Sequence, residues 1–133
     1  MVVFTDGGCS GNGSRDVAAR RMISVVTDQD GRVLSEHFAE GGSNNIAELL
    51  AVRDAVVYCV RAGLAIVEVR TDSRNNFAWV FGARVGRGVN DRARVLALQG
   101  EIRTLRESVR MTLCWVPRDD NAAGRYLEQN HRL

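Results

Sequence analysis

Residues 45–72, NIAELLAVRDAVVYCVRAGLAIVEVRTD, join a helix directly to a strand, and that junction sets the fold class. Ile46, Leu49, Leu50, Ala55, Val56 and Val60 recur at the three-and-four spacing of one helical face across residues 45–62. Ser43 or Asn44 can cap this helix by accepting from its free N–H groups, and Gly63 can end it. Residues 65–71, AIVEVRT, form a short and largely apolar run that suits a central strand, and the run stops at Asp72.

Outward from this junction, the N-terminal side reads as strands. Residues 2–5 make a short apolar run ending at Asp6-Gly7-Gly8, and residues 7–14 (GGCSGNGS) have the composition of a turn. Residues 21–27 and 33–39 are strand-like and joined through Asp28-Gln29-Asp30-Gly31, whose Asp-Gly pair signals a hairpin. The second of these strands lacks a cleanly apolar face, as an edge strand can. On the C-terminal side, residues 73–81 read as a short helix and residues 82–88 (GARVGRG) as a flexible, basic connection. Residues 91–108 form an amphipathic helix carrying Val95, Leu98, Ile102 and Leu105. Residues 110–116 (RMTLCWV) are a last core strand stopped by Pro117, and residues 119–131 a final short helix. Hairpins followed by alternating helices and strands imply an α/β fold: a mixed sheet with helices on its faces.

A chain of 133 residues, 45% of them apolar, is long enough to bury the core of one domain over residues 1–133. The net charge of +2 is too small to argue for nucleic acid by itself. All 18 basic residues are arginine, which can fork onto phosphate oxygens, although codon bias in a GC-rich genome accounts for the same fact. Cys9, Cys59 and Cys114 are odd in number and contain no CxxC pair, which argues against a disulfide framework and a cysteine zinc site. A cytoplasmic monomer is expected. The first residues lack a signal-peptide pattern, and no apolar run approaches the length of a membrane span.

Three carboxylates stand at informative places. Asp6 ends the first strand, Asp72 ends the fourth, and Glu48 lies in the first turn of the first helix. If strands one and four are parallel neighbours, both aspartates emerge at one end of the sheet, where α/β folds commonly carry their sites. Two carboxylates about 4 Å apart repel by roughly 4 kcal/mol at an effective dielectric near 20. Such a cluster persists only with neutralising cations or with one acid protonated. An oxygen-only set suits Mg²⁺ or Mn²⁺ over Zn²⁺, and a pair of such ions about 3.5–4 Å apart can assist displacement at a phosphodiester. Taken singly, each acid is equally well read as a turn former or a helix-start charge.

The runs Thr5-Asp6-Gly7-Gly8-Cys9-Ser10-Gly11-Asn12, Asn44-Asn45-Ile46-Ala47-Glu48-Leu49 and Thr71-Asp72-Ser73 resemble the three signature segments of type 1 ribonuclease H. The resemblance extends over nearly the whole chain and is nearest to compact members without the long basic protrusion. It implies the ribonuclease H-like fold, with a five-stranded sheet in order 3-2-1-4-5. It also implies Mg²⁺ or Mn²⁺ held by Asp6, Glu48 and Asp72, and hydrolysis of the RNA strand of RNA–DNA hybrids to 5′-phosphate and 3′-hydroxyl ends.

The final segment departs from the family. It resembles the compact pattern V-P-R-x-x-N-x-x-A-D, but the family's fourth carboxylate falls on Arg125. Asn121, one helical turn earlier, and then Asp120 are the candidate replacement ligands; Asp119 or Asp120 can alternatively cap the last helix. The mobile histidine loop of many members is missing, and neither His37 nor His131 is assigned a catalytic role. For the substrate, the resemblance places Gly8, Cys9 and Asn12 near the RNA strand and Asn45 at a base edge or hydroxyl. Ser43, together with Arg74 or Asn75, is placed near a DNA phosphate. Ser43 as a helix cap is an equally good reading. Trp79 and Phe81 read as core by spacing, and Arg84, Arg87, Arg92 and Arg94 as a solvated or backbone-contacting basic stretch. Two other functions fit the same fold: a non-catalytic hybrid-binding module, which the missing fourth acid favours, and a different phosphodiester enzyme such as a junction resolvase.

Overall fold

The structure, a computed structural model, describes residues 1–11, 16 and 19–131, and of Asn75 the backbone alone. The strands are β1 (Val2–Ser10), β2 (Arg21–Asp28), β3 (Val33–Glu40), β4 (Ile66–Thr71) and β5 (Arg110–Trp115). The helices are α1 (Asn44–Arg61), α2 (Asn75–Val80), α3 (Arg92–Leu105) and α4 (Ala122–Asn130), with a 3₁₀ turn at Arg118–Asp120. The five strands form one sheet in the order β3-β2-β1-β4-β5. The β1–β2 and β2–β3 pairs are antiparallel, and the β1–β4 and β4–β5 pairs are parallel. This is the ribonuclease H-like architecture expected from the sequence.

The β2–β3 hairpin forms at the Asp-Gly signal. Asp28 Oδ1 accepts from the N–H groups of Asp30 and Arg32, both at 2.9 Å. Gly31 takes φ +87°, a conformation that costs a residue without Cβ little. Helix α1 starts where Ser43 Oγ accepts from Ile46 N at 3.3 Å, so Ser43 is the cap. It ends where Gly63, at φ +71°, lets Leu64 N reach back to Cys59 O.

Two apolar layers flank the sheet. On one face α1 buries Ile46, Leu49, Val52, Val56 and Cys59 with Val95, Leu98 and Ile102 of α3. On the other, Ala122, Ala123 and Leu127 of α4 cover Phe4, Ile23 and Val25. No helix among the described residues is long and apolar enough to cross a membrane.

Several local expectations change. Residues 7–10 are strand: Gly7, Gly8, Cys9 and Ser10 pair with Ser24, Ile23, Met22 and Arg21. The glycines serve packing here, because a Cβ on Gly7 would lie 2.3 Å from the carbonyl carbon of Ala47 in α1. Strand β5 is an edge strand, burying Met111 and Leu113 and exposing Arg110 and Thr112. Val60 is 37% exposed and Phe81 49% exposed, so neither belongs to the core. The 82–88 connection is pinned: Val85 is buried, its carbonyl accepts from Arg92 Nε, and Gln99 Nε2 donates to Trp79 O and Ala83 O.

Candidate metal centre

The parallel register Phe4↔Arg70 continues to set Asp6 level with Asp72, just past the last paired residues of β1 and β4. Glu48 reaches the same point from above. Because α1 begins at Asn44, Glu48 is its fifth residue, beyond the first turn where the sequence reading put it. Three contacts hold this end of α1 down. Gly7 leaves room for the helix backbone. Ser24, opposite Gly7 on β2, donates its hydroxyl to Ala47 O at 2.6 Å. Cys9 N donates to Asn44 Oδ1 at 2.7 Å.

One carboxylate oxygen from each of Asp6, Glu48 and Asp72 lies within 4.8 Å of the other two. Burial, followed by the charge of Asp72, pushes the Asp6 carboxyl up to about 6; nearby Arg118 opposes this. Burial also pushes Glu48 up to about 7, against a hydrogen bond from Ser73 and with further repulsion from Asp6 and Asp72. Asn76, fully buried, donates its amide nitrogen to Ser73 Oγ at 3.1 Å and Glu48 Oε2 at 3.4 Å, which orients the glutamate. Trp115 Nε1 donates to Asp72 O at 3.1 Å, and the Arg74 guanidinium stacks on that indole, 4.4 Å from its centroid. Asp6 Oδ1 is buried with no hydrogen-bond partner among the described residues. An orphaned carboxylate oxygen beside two other carboxylates, with oxygen as the sole donor type, fits a hard divalent cation.

Sequence reasoning missed Arg118. Its Nη1 stands 3.2 Å from both Asp6 Oδ2 and Asp72 Oδ2, and its Nε stands 2.9 Å from Glu128 Oε1. The V-P-R start of the last segment was a visible signal, yet nothing local says which way that side chain turns. Asn76 was also missed; it sits on the short α2 that follows the Thr71-Asp72-Ser73 motif.

The last helix departs from expectation at Asn121. Its Oδ1 accepts from Ala123 N and Gly124 N, its Nδ2 donates to Thr5 O at 3.0 Å, and the residue is fully buried. It is the N-cap of α4, the role expected of Asp119 or Asp120, and both ends of its amide are committed. It therefore has no oxygen to offer a metal. Asp119 and Asp120 are exposed on the 3₁₀ turn. Arg125 is exposed and donates to Asp119 O. The α4 residue against the acids is Gly124, where a Cβ would stand 3.3 Å from Asp6 Oδ2.

The expected substrate residues divide into groups. Gly8 and Cys9 are buried in β1, and the backbone N–H of Cys9 is taken by Asn44. Asn12 lies outside the described residues. Ser43 and Asn45 line a groove of about 420 Å³ with Arg20, Trp79 and Asn90. Arg74 is exposed beside Asp72. His37 pairs with Asp54 at 3.0 Å, away from the acids, whereas His131 lines a cavity of about 300 Å³ next to Asp6 and Arg118.

A mixed sheet in this order, with acids from β1, α1 and the end of β4 brought to one point, defines the ribonuclease H-like class. The RNase H family profile matches residues 1–124, and the chain belongs to that family. RNase H1 from the halophilic archaeon Halobacterium salinarum superposes with a TM-score of 0.66 at 23% identity, over 95% of this chain and 92% of that one. LC11-RNase H1, isolated from compost and solved in complex with an RNA/DNA hybrid, gives 0.65 at 24% identity, covering 95% and 91%. The N-terminal RNase H domain of a Mycobacterium tuberculosis protein, solved as a maltose-binding-protein fusion, gives 0.63 at 21%, covering 97% and 95%. At these identities the likeness establishes the fold. A comparison with curated protein sequences returns no match.

Proposed function

We propose that the chain is an endonuclease that hydrolyses the RNA strand of RNA–DNA hybrids, leaving 5′-phosphate and 3′-hydroxyl ends. The observation that carries this is the convergence of Asp6, Glu48 and Asp72 in a chain of the RNase H family. Mg²⁺ or Mn²⁺, two ions in the full mechanism, would supply the Lewis acidity for attack on the phosphodiester and departure of the 3′ oxygen. Asp6, Glu48 and Asp72 are the residues to hold that charge, and burial limits the water that competes for it. Ser73 and Asn76 keep the Glu48 carboxylate turned toward the aspartates. With the amide of Asn121 committed, Asp120 is the replacement fourth ligand that still presents a carboxylate.

Hybrid as substrate is supported by the LC11 complex and by the groove at Ser43 and Asn45, which offers polar side chains to a backbone. Arg74 stands beside Asp72 for a phosphate, and Gly8, Cys9 and Asn12 remain assigned to the RNA side. The reading includes one domain over residues 1–133, acting as a monomer in the cytoplasm. The absence of a carboxylate at Arg125, and the arginine lodged on the aspartates, favour one alternative, a non-catalytic hybrid-binding module.

Labelled hybrid, double-stranded RNA, double-stranded DNA and a four-way junction, each incubated with Mn²⁺, separate the readings. Cutting of hybrid alone, abolished by Asp6→Asn and by Asp72→Asn, is the expected result. Hybrid binding without cutting supports the binding module, and cutting of the junction or of DNA overturns the substrate assignment.

A further inference from the structure

We propose that Arg118 is a built-in counter-cation of the acidic centre, which a divalent ion must displace in order to bind. The inference rests on the metal-dependent reading above and adds a competitor to it. A single guanidinium nitrogen, Nη1, reaches Asp6 Oδ2 and Asp72 Oδ2 at the same distance, 3.2 Å, so the positive charge sits between the two aspartates. That is the place where their mutual repulsion is greatest and where a cation gains most.

The side chain is built to leave as well as to stay. Half of it is exposed, so packing does not fix it. Its Nε is tied to Glu128 Oε1 at 2.9 Å, on the first exposed turn beyond Gly124. Released from the aspartates, the guanidinium keeps that partner and swings about it. The cavity of about 300 Å³ lined by Asp6, Gly7, Arg118, Glu128 and His131 gives it room to do so. A Cβ at Gly124 would stand 3.3 Å from Asp6 Oδ2, so the glycine keeps α4 clear of that oxygen.

Two consequences follow for the protein without substrate. Removing the guanidinium leaves the aspartates uncompensated, so the metal-free fold loses stability. It also removes the competitor, so divalent ions bind more tightly. Calorimetric titration of Mn²⁺ at pH 8 compares the wild type with Arg118→Gln and Arg118→Lys. The expected result is a Kd lower by about tenfold for Arg118→Gln, with Arg118→Lys between it and the wild type. In chelator, the melting temperature of Arg118→Gln falls below the wild type, and saturating Mn²⁺ closes the gap. An Arg118→Gln constant equal to or weaker than that of the wild type overturns the displacement while leaving the nuclease reading intact. A wild-type protein that takes up no Mn²⁺ at all overturns both.

Discussion

Asn121 shows how one side chain ties the start of a helix to the middle of a strand. Its oxygen caps α4, and its nitrogen satisfies the carbonyl of Thr5, next to Asp6. Truncation to alanine removes the cap and leaves a buried carbonyl unpaired, each costing about 1–2 kcal/mol. Asn121→Ala is therefore expected to lower the unfolding free energy in urea by about 2–4 kcal/mol, the sum of those two losses. Mn²⁺ affinity of the folded fraction should change far less than with Asp6→Asn. A comparable loss of Mn²⁺ binding would return Asn121 to the ligand set. Asp119→Ala, on the exposed turn, should cost little in either measurement. None of this was readable at residue 121 alone: asparagine is as good a cap as it is a polar ligand, and its partner at Thr5 is 116 positions away.

At the scale of elements, the contact that builds the centre is α1 lying on β1. The sequence made α1 plain through its apolar spacing, and Glu48 is carried wherever the helix goes. The height at which the helix sits is set by Gly7 and Ser24. Ser24→Ala removes the 2.6 Å bond to Ala47 O, a carbonyl that keeps its helical donor four residues on in α1. The expected cost is that of one lost hydrogen bond, about 0.5–1.5 kcal/mol of stability, with a weaker Mn²⁺ Kd as Glu48 drifts from the aspartates. A stability loss with metal affinity unchanged would show that the helix holds its place without this hydroxyl. The same contact explains why the Gly-rich stretch is strand: β2 continues its ladder to Arg21, and the glycines are the residues thin enough to lie beneath α1. Local composition signals a turn because it cannot register a helix arriving from 40 residues away.

For the molecule as a whole, the buried acids couple stability to pH. Asp6 and Glu48 bind protons more tightly in the fold, at about 6 and about 7, than their ordinary values of 3.8 and 4.5. Between those values the folded, metal-free chain holds more protons than the unfolded one, so their contribution is fully present below about pH 4 and is lost as the pH rises to about 7. The melting temperature in chelator is expected to fall across that window more steeply for the wild type than for Asp6→Asn/Glu48→Gln. Parallel curves would contradict the assignment. Divalent ions act in the opposite sense, since they bind the deprotonated acids and gain affinity as the pH rises. The sequence by itself determined the element order and the mixed sheet and singled out the three acids, because apolar periodicity and the polar residues that interrupt it are local signals. Tertiary structure alone decided that Asn121 caps α4, that residues 7–10 are strand, and that Arg118 rests on Asp6 and Asp72. Each of those outcomes depends on which distant group meets a side chain or a backbone, and spacing along the chain carries no record of that meeting.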